Sequence, residues 1–140
     1  MLKQEIIDWL SEMNIKNYSL RDDLVDVEGD VDLFNRKLKV IPVQFGIVKG
    51  YFNCSENNLK SLEGCPQTVG GSFSCSWNKL ESLEGSPKTV GGDFSCWGNK
   101  LESLKYLPDI KGELQCDDHL KDSEEYCKWK YHFIMNQRHA

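Results

Sequence analysis

Histidine, proline and methionine are scarce in this chain of 140 residues, and long apolar runs are missing from it. Only three histidines are present, so the sequence offers few of the side chains that most often act as general acids and bases. No apolar run approaches the ~18 residues that a membrane-spanning helix needs. The first residues carry two acids, Glu5 and Asp8, where a signal peptide would have its apolar stretch. We therefore expect a cytoplasmic protein that does not contact a membrane, with its six cysteines as reduced thiols.

Basic residues are also outnumbered by acidic ones. The chain has 17 Lys and Arg against 22 Asp and Glu, which gives a formal net charge of −5. Because nucleic acid and anionic membranes repel an acidic chain, direct nucleic-acid binding is not expected. The hydrophobic share of 39% is too high for a disordered chain. The length fits one domain, since domains usually contain ~100–200 residues.

One sequence unit occurs five times along the chain. The stretch Val69–Pro87 recurs closely from Val90, and looser copies begin at Val27, Val48 and Ile110. These starting positions are separated by 21, 21, 21 and 20 residues. A period of this length is typical of solenoids, in which each unit buries its apolar face against its neighbours.

Each unit contains a short strand pattern. A Phe and a Cys stand two residues apart, as in Phe73 and Cys75, and both should point to the same side of a strand. An Asn follows three residues after the Cys, and a Leu comes two residues later, as in Asn78 and Leu80. Strands this short are stable only when units stack. The sequence thus predicts a ladder of about five parallel strands, near residues 30–34, 51–55, 72–76, 93–97 and 113–117.

The spacing Phe-x-Cys-x-x-Asn-x-Leu resembles the core of leucine-rich repeats, and the preceding Pro-x-x-Val resembles their short bacterial subtype. The gap from Val to Phe is one residue longer than usual in that subtype, and we expect the diglycines Gly70-Gly71 and Gly91-Gly92 to absorb the difference. The pattern Ser-Leu-Glu-Gly-x-Pro-x-x-Val-Gly-Gly-x-Phe-x-Cys also resembles repeats in proteins of tailed bacteriophages. This resemblance covers about residues 15–120 and implies an α/β repeat solenoid that serves as a binding scaffold.

An open solenoid requires caps at both ends. Apolar residues share one helical face over residues 2–13, and residues 17–20 and 24–27 alternate like edge strands. At the other end, acids followed by aromatics at helical spacing predict a helix over about 122–136 that folds against the last strand. We therefore predict a single domain over residues 1–140, made of an N-terminal cap (1–26), leucine-rich repeats (27–120) and a C-terminal helical cap (121–140).

Four cysteines occupy one repeat position and are expected to be buried thiols: Cys54, Cys75, Cys96 and Cys116. Cys65 falls in a turn and is expected at the surface. A zinc site is the alternative, because two thiols and two imidazoles stand close together in Cys116, His119, Cys127 and His132. Their spacing matches no familiar zinc finger, and Cys127 and His132 would diverge by roughly 140° on a helix. We therefore predict neither a metal nor a cofactor.

The remaining repeat positions do not indicate catalysis. Asn57, Asn78 and Asn99 are expected to satisfy backbone groups at the bend after each strand, which is a structural role. No glycine-rich phosphate loop is followed by Lys and Ser or Thr. Buried cysteines are poor nucleophiles, because burial disfavours the thiolate. No catalytic residue is predicted, and the chain is not expected to be an enzyme.

The outward-facing strand positions are expected to form the concave surface of the solenoid, through which an acidic, Trp-bearing face binds a partner. The 20 such positions, which include Ser55 and Ser76, hold seven acids and no Lys or Arg. Trp77 and Trp97 lie on neighbouring units, and exposed tryptophans often carry much of an interface's binding energy. The alternative is that each Trp folds over the end of its strand and covers backbone. The predicted partner-binding residues are Trp77, Trp97, Tyr51, Phe34, Asp30, Asp32, Glu56, Asp93, Glu113 and Asp117.

Acids and aromatics together suit a protein partner with a basic surface. The main hypothesis is therefore a non-enzymatic protein-interaction module, and the bacteriophage resemblance implies an inhibitor of a bacterial defence protein. A second hypothesis is an acidic DNA mimic that occupies the nucleic-acid groove of a host protein. A small enzyme is the third. The tail Lys128–Phe133 interleaves basic and aromatic residues, which allows nucleic-acid contact or, more simply, a capping helix with one wet side.

Overall fold

The computed structural model describes residues 1–138, so the last two residues of the expected C-terminal cap lie outside the described part of the chain. The described residues form a β-solenoid of stacked coils, preceded by helix α1 (Lys3–Glu12) and followed by helix α2 (Glu124–Arg138). A short 3-10 turn, Asp118–Leu120, precedes α2. The strands are β1 (Tyr18–Arg21), β2 (Leu24–Val27), β3 (Val31–Asp32), β4 (Gln44–Val48), β5 (Phe52–Asn53), β6 (Thr68–Val69), β7 (Phe73–Ser74), β8 (Thr89–Val90), β9 (Phe94–Ser95), β10 (Asp109–Ile110) and β11 (Leu114–Gln115).

The predicted ladder of five parallel strands is confirmed. Strands β3, β5, β7, β9 and β11 pair in this order to form the five-stranded sheet. Each strand spans two residues rather than the five expected. The backbone pairing nevertheless continues past the strand ends, because the N–H of Cys54 donates to the carbonyl of Ser74 and that of Glu56 to the carbonyl of Ser76, both at 2.9 Å.

A second sheet runs along another side of the coils. Its first two strands, β1 and β2, confirm the edge strands predicted over 17–20 and 24–27, whereas its continuation through the later coils was not predicted. Its order is β1-β2-β4-β6-β8-β10, with β1 antiparallel to β2 and the other pairs parallel. Strands β6 and β8 are two-residue Thr-Val pairs, Thr68–Val69 and Thr89–Val90. Two residues are too few to show an alternating pattern, so these later strands of the sheet leave no periodic signal in the sequence.

The inward phase of the Phe-x-Cys pattern is confirmed. The rings of Phe52, Phe73 and Phe94 stack in line, with centroids 5.6 and 5.4 Å apart and interplanar angles of 7° and 12°. The four repeat cysteines and these three phenylalanines are fully buried. At the N-terminal side, Phe45 contacts Phe52 edge-on at 5.2 Å and Trp9 at 6.3 Å. The core is therefore one continuous column along the solenoid axis.

The expectation that Cys65 lies at the surface is wrong, because only 3% of this residue is exposed. Cys65 follows Gly64, which has a left-handed φ of 93°. A Cβ on Gly64 would lie 2.6 Å from the carbonyl oxygen of Val43, so this turn packs tightly against the preceding coil. The Cys65 side chain consequently belongs to the hydrophobic core.

The structural role of the asparagine column is confirmed. The side-chain amide of Asn78 donates to the carbonyls of Cys54 and Cys75 at 3.0 and 3.1 Å, and its Oδ1 accepts the N–H of Leu59 at 3.0 Å. Asn57 and Asn99 repeat the arrangement one coil away on either side. Each Asn thus connects two neighbouring coils and satisfies backbone groups that would otherwise be buried without partners.

The two helices differ in how they meet the core. On α1, Ile6 and Leu10 are buried. The predicted C-terminal helix is confirmed as α2, but no described residue of α2 is fully buried. Trp129 of α2 packs partly against the core, and its indole N–H donates to the carbonyl of Gly112 at 3.3 Å. Neither described helix is long and apolar enough to cross a membrane.

Candidate functional site

The four aromatic residues of the predicted partner-binding set all reach solvent. The exposed fractions are 60% for Trp77, 45% for Phe34, 40% for Tyr51 and 37% for Trp97. All four belong to loops that flank the strands of the five-stranded sheet. We call this set of ten predicted residues, on the outer side of that sheet, the five-stranded face.

Trp77 has a backbone conformation that is unfavourable for its residue type. It belongs to a column of four equivalent positions with left-handed φ angles: Asn35 (53°), Glu56 (55°), Trp77 (58°) and Gly98 (65°). Glycine and asparagine adopt this region readily, whereas a bulky side chain does so at a cost of ~1–2 kcal/mol. Residues kept in such conformations cluster at functional sites. Trp77 is therefore the residue of this face whose side chain is least suited to its backbone conformation.

The Trp77 ring lies over the backbone of the next coil. A Cβ built on Gly98 would overlap the six-membered ring of Trp77, so the ring covers this glycine. The backbone N–H of Trp77 also donates to the carbonyl of Trp97 at 2.7 Å. The alternative that the Trp covers backbone thus holds for one side of the Trp77 ring, while most of the residue stays exposed. The two exposed tryptophans lie on adjacent coils and are joined by this backbone hydrogen bond, and we call the pair the aromatic patch.

Two serines beneath this patch are buried, although the sequence analysis placed them among the outward positions. Ser55 and Ser76 are only 6% and 5% exposed. Their hydroxyls pair with those of Ser74 and Ser95 on the adjacent coils, at O–O distances of 2.5 and 2.6 Å. The Ser76 hydroxyl also accepts the N–H of Trp97 at 3.1 Å. These small side chains therefore support the backbone of the face rather than present themselves to a partner.

The acids of the face have a structural role that sequence reasoning missed. The Oδ1 of Asp30 accepts the N–H of Tyr51 at 2.9 Å, and the Oδ1 of Asp93 accepts that of Glu113 at 2.9 Å. The carboxylate of Asp117 likewise accepts the N–H of Gly98 at 3.2 Å. Part of the signal was present in the sequence, because short polar side chains occupy the position of Asp30 and Asp93 in three of the five units, the third being Ser72. These contacts hold the carboxylates at fixed places on the face.

Among residues 1–138, the same acids form no ion pair. Four ion pairs occur among residues 1–138: Arg21–Asp26, Lys49–Glu28, Lys111–Asp109 and Lys121–Asp118. None includes an acid of the ten-residue set. Partial burial raises the pKa of the Tyr51 hydroxyl, and the nearby carboxylates of Asp32 and Asp30 raise it further. The face therefore carries negative charge that no ion pair in the described part of the chain neutralises, and such charge attracts basic surfaces.

The residues considered for zinc do not converge in the structure. Cys116 is buried in the core column, where burial raises the pKa of its thiol, and Cys127 is exposed on α2. The Nε2 of His119 lies 2.8 Å from the carbonyl oxygen of Leu101, at the repeat position that Asn occupies in earlier coils. Among residues 1–138, no group of three His, Cys, Asp or Glu side chains has the geometry to hold a metal ion.

Three further cysteines, Cys65, Cys75 and Cys96, have little thiolate character. Burial raises the pKa of Cys65 and of Cys75 well above the ordinary thiol range, and neighbouring thiols raise it further. Burial likewise raises the pKa of Cys96. A thiol held in its protonated form is a weak nucleophile, so these residues serve to pack the core.

Comparison with known proteins gives no assignment, since no protein-family model, curated protein or solved structure matches the chain. The side chains of the five-stranded face are thus the main guide to what the protein does.

Proposed function

We propose that the chain is a non-enzymatic protein-interaction module built from leucine-rich repeats of the short type, with α1 and α2 as its caps. Support comes from the 21-residue register of the coils and from the asparagines that connect them. Support for the capping role of α1 comes from Ile6 and Leu10, which are buried at the first coils.

The module binds a protein with a basic surface through the five-stranded face. The observation that carries this proposal is Trp77, which is 60% exposed and keeps a left-handed backbone where its column also uses Gly98 and Asn35. A large apolar side chain that is strained and exposed contributes little to folding, so a binding role accounts for it better. Trp97 extends the apolar patch. The unpaired acids around it favour Arg or Lys on the partner through charge attraction, and the indoles favour the same groups through cation–π contacts.

In its biological setting, the protein is encoded by a bacteriophage and acts in the cytoplasm as an inhibitor of a bacterial defence protein. Support for this part comes from the repeat pattern around Ser82–Cys96, which resembles bacteriophage proteins. An acidic, Trp-bearing face fits the basic surfaces by which nucleic-acid-processing proteins hold their substrates.

Affinity capture from bacterial lysate tests the proposal. The matched baits are the native chain and the double variant Trp77→Gly, Trp97→Ser, which uses residues that the repeat itself places in these columns at Gly98 and Ser76. We expect one protein that binds the native bait saturably and that the double variant does not retain. Equal retention by both baits would contradict a role for the tryptophans.

A DNA mimic is the second candidate, and the acids without ion pairs favour it. A mimic places carboxylates where phosphates would lie, so its binding should compete with duplex DNA and weaken steeply with salt. Competition of the captured partner with duplex DNA separates the two candidates. Binding that persists in excess DNA supports the general protein-interaction face.

A further inference from the structure

A groove lies between α2 and the last coil of the six-stranded sheet. Its volume is about 690 Å³, within the range of ~300–1,000 Å³ that is typical of small-molecule sites. One wall consists of residues 103–111, and the other of Glu125, Lys128, Trp129, His132, Phe133 and Asn136 on α2. None of these residues belongs to the five-stranded face, so a ligand here is independent of the function proposed above.

The wall formed by the coil departs from the repeat in charge. At the position where the two preceding coils have Glu63 and Glu84, this coil has Lys105. At the position where the same coils have Gly70 and Gly91, it has Lys111. Both lysines line the groove. An earlier unit also has a lysine, Lys49, at the position of Lys111, so the change of charge that is particular to this coil is Lys105. A lysine in place of an acid favours a negative group.

The same wall departs from the repeat in backbone conformation. Gly64 and Gly85 have left-handed φ angles of 93° and 91°, and the equivalent residue in the groove is Tyr106 at 73°. A tyrosine in this region is strained, and half of it (49%) is exposed. The ammonium of Lys105 lies 5.2 Å from the centre of the Tyr106 ring. The strain therefore places an aromatic ring and a cation together at the edge of the groove.

The wall formed by α2 is aromatic and already oriented. The indole of Trp129 is held by its hydrogen bond to the carbonyl of Gly112, and it stacks with Phe133 at 5.2 Å and 26°. Both side chains are only partly buried, so part of each aromatic ring remains accessible to a ligand. Lys128 contributes another cation beside it. Of the two carboxylates in the groove, that of Asp109 already pairs with Lys111 at 3.3 Å.

We propose that this groove binds a planar aromatic ring that carries a phosphate, with the size of a mononucleotide. The ring packs on the Trp129 and Phe133 wall, where stacking is available to any flat aromatic group. The phosphate is bound by Lys105 and Lys128, which meet no carboxylate within ion-pair distance among residues 1–138. Tyr106 closes the outer edge of the site.

Isothermal titration calorimetry with adenosine 5′-monophosphate tests the proposal. Adenosine supplies the ring alone, and inorganic phosphate supplies the charge alone. We expect both to bind at least about tenfold more weakly than the nucleotide, since each keeps one of the two kinds of contact. Failure of the nucleotide to bind, or equal binding of adenosine, would overturn the proposal. Tighter binding of a single-stranded oligonucleotide would overturn it in favour of a strand-binding surface.

Variants that restore the repeat locate the site. Lys105→Glu gives this coil the residue of the two coils before it, and we expect it to weaken nucleotide binding by about tenfold or more. Tyr106→Gly should also weaken binding while thermal unfolding shows an intact fold, because glycine suits the left-handed turn. Lys60→Glu reverses an exposed lysine outside the groove and is the matched control. Equal losses in Lys105→Glu and Lys60→Glu would show general charge attraction and no site.

Discussion

The left-handed backbone of Trp77 predicts an inverted order of stability between alanine and glycine at neighbouring positions of the face. At Trp77, where φ is 58°, we expect Trp77→Gly to be more stable than Trp77→Ala. At Trp97, which is not among the residues with positive φ, we expect Trp97→Ala to be more stable than Trp97→Gly. The two tryptophans lie on adjacent coils, so each pair of variants is the control for the other.

The magnitude follows from the backbone. Both variants at Trp77 lose the packing of the ring over Gly98, which amounts to about 100 Å² for a side chain that is 60% exposed. This loss of at most ~2.5 kcal/mol is common to both variants and cancels in their comparison. An L-residue in the left-handed region costs ~1–2 kcal/mol, and the greater flexibility of glycine when unfolded costs ~0.5–1 kcal/mol. The difference favours glycine by about 1 kcal/mol at position 77 and alanine by ~0.5–1 kcal/mol at position 97.

Urea unfolding followed by circular dichroism measures the four variants. With a slope of ~1–3 kcal/mol per molar urea, a difference of 1 kcal/mol moves the midpoint by roughly 0.3–1 M, which is readily resolved. The reasoning is refuted if Trp77→Ala is as stable as Trp77→Gly or more so. In that case the backbone at Trp77 is not strained, and the argument that this residue is kept for binding loses its basis.

Four further predictions concern the fold. Asn78→Ala should lower the free energy of unfolding by at least ~2 kcal/mol, because it leaves buried backbone groups of two coils unpaired, whereas Asn58→Ala should cost less than about 1 kcal/mol by the same urea titration. Native thiol titration should find Cys127 reactive and the five buried cysteines slow, and simultaneous reaction of all six would contradict the inward phase. Because burial raises the pKa of Cys75, unfolding lets this thiol ionise above pH ~8.5, so stability should be complete below that pH and fall as pH rises above it. Deletion of residues 121–140 should cause aggregation or loss of cooperative unfolding, since it uncovers the last strand edge; a soluble truncation of equal stability would show that α2 is a separate arm.

The repeat could be predicted from the sequence because residues of the same type recur at fixed positions in each unit. Phe73 and Cys75 stand two residues apart in a pattern that recurs every 21 residues, so their inward direction followed from strand geometry alone. The asparagine column followed from the need to satisfy backbone groups at each bend. In contrast, three of the six strands in the other sheet have only two residues, as in Thr68–Val69, and leave no alternation to detect, whereas the four-residue strands β1 and β2 were predicted.

The burial of side chains at and near the turns could not be predicted from this periodicity. Cys65 was placed at the surface because it stands beside a turn glycine, but the left-handed Gly64 packs that turn against the preceding coil. Ser55 and Ser76 were assigned to the outer side by phase, and they became buried because neighbouring hydroxyls pair across the coils. The left-handed backbone at Trp77 could have been predicted, because the equivalent positions hold Asn35 and Gly98, and these residue types favour this conformation.

Binding affinity of the captured partner for two double variants tests the central claim most directly. The first, Trp77→Gly with Trp97→Ser, removes the aromatic patch of the five-stranded face. The second, Lys79→Glu with Lys100→Glu, reverses two exposed lysines outside that face. With circular dichroism as the control for folding, we predict that the first raises Kd by at least about 30-fold, equivalent to ~2 kcal/mol, and that the second changes it little. Loss of binding in the lysine variant together with native affinity in the tryptophan variant would contradict the account and place the partner on another surface.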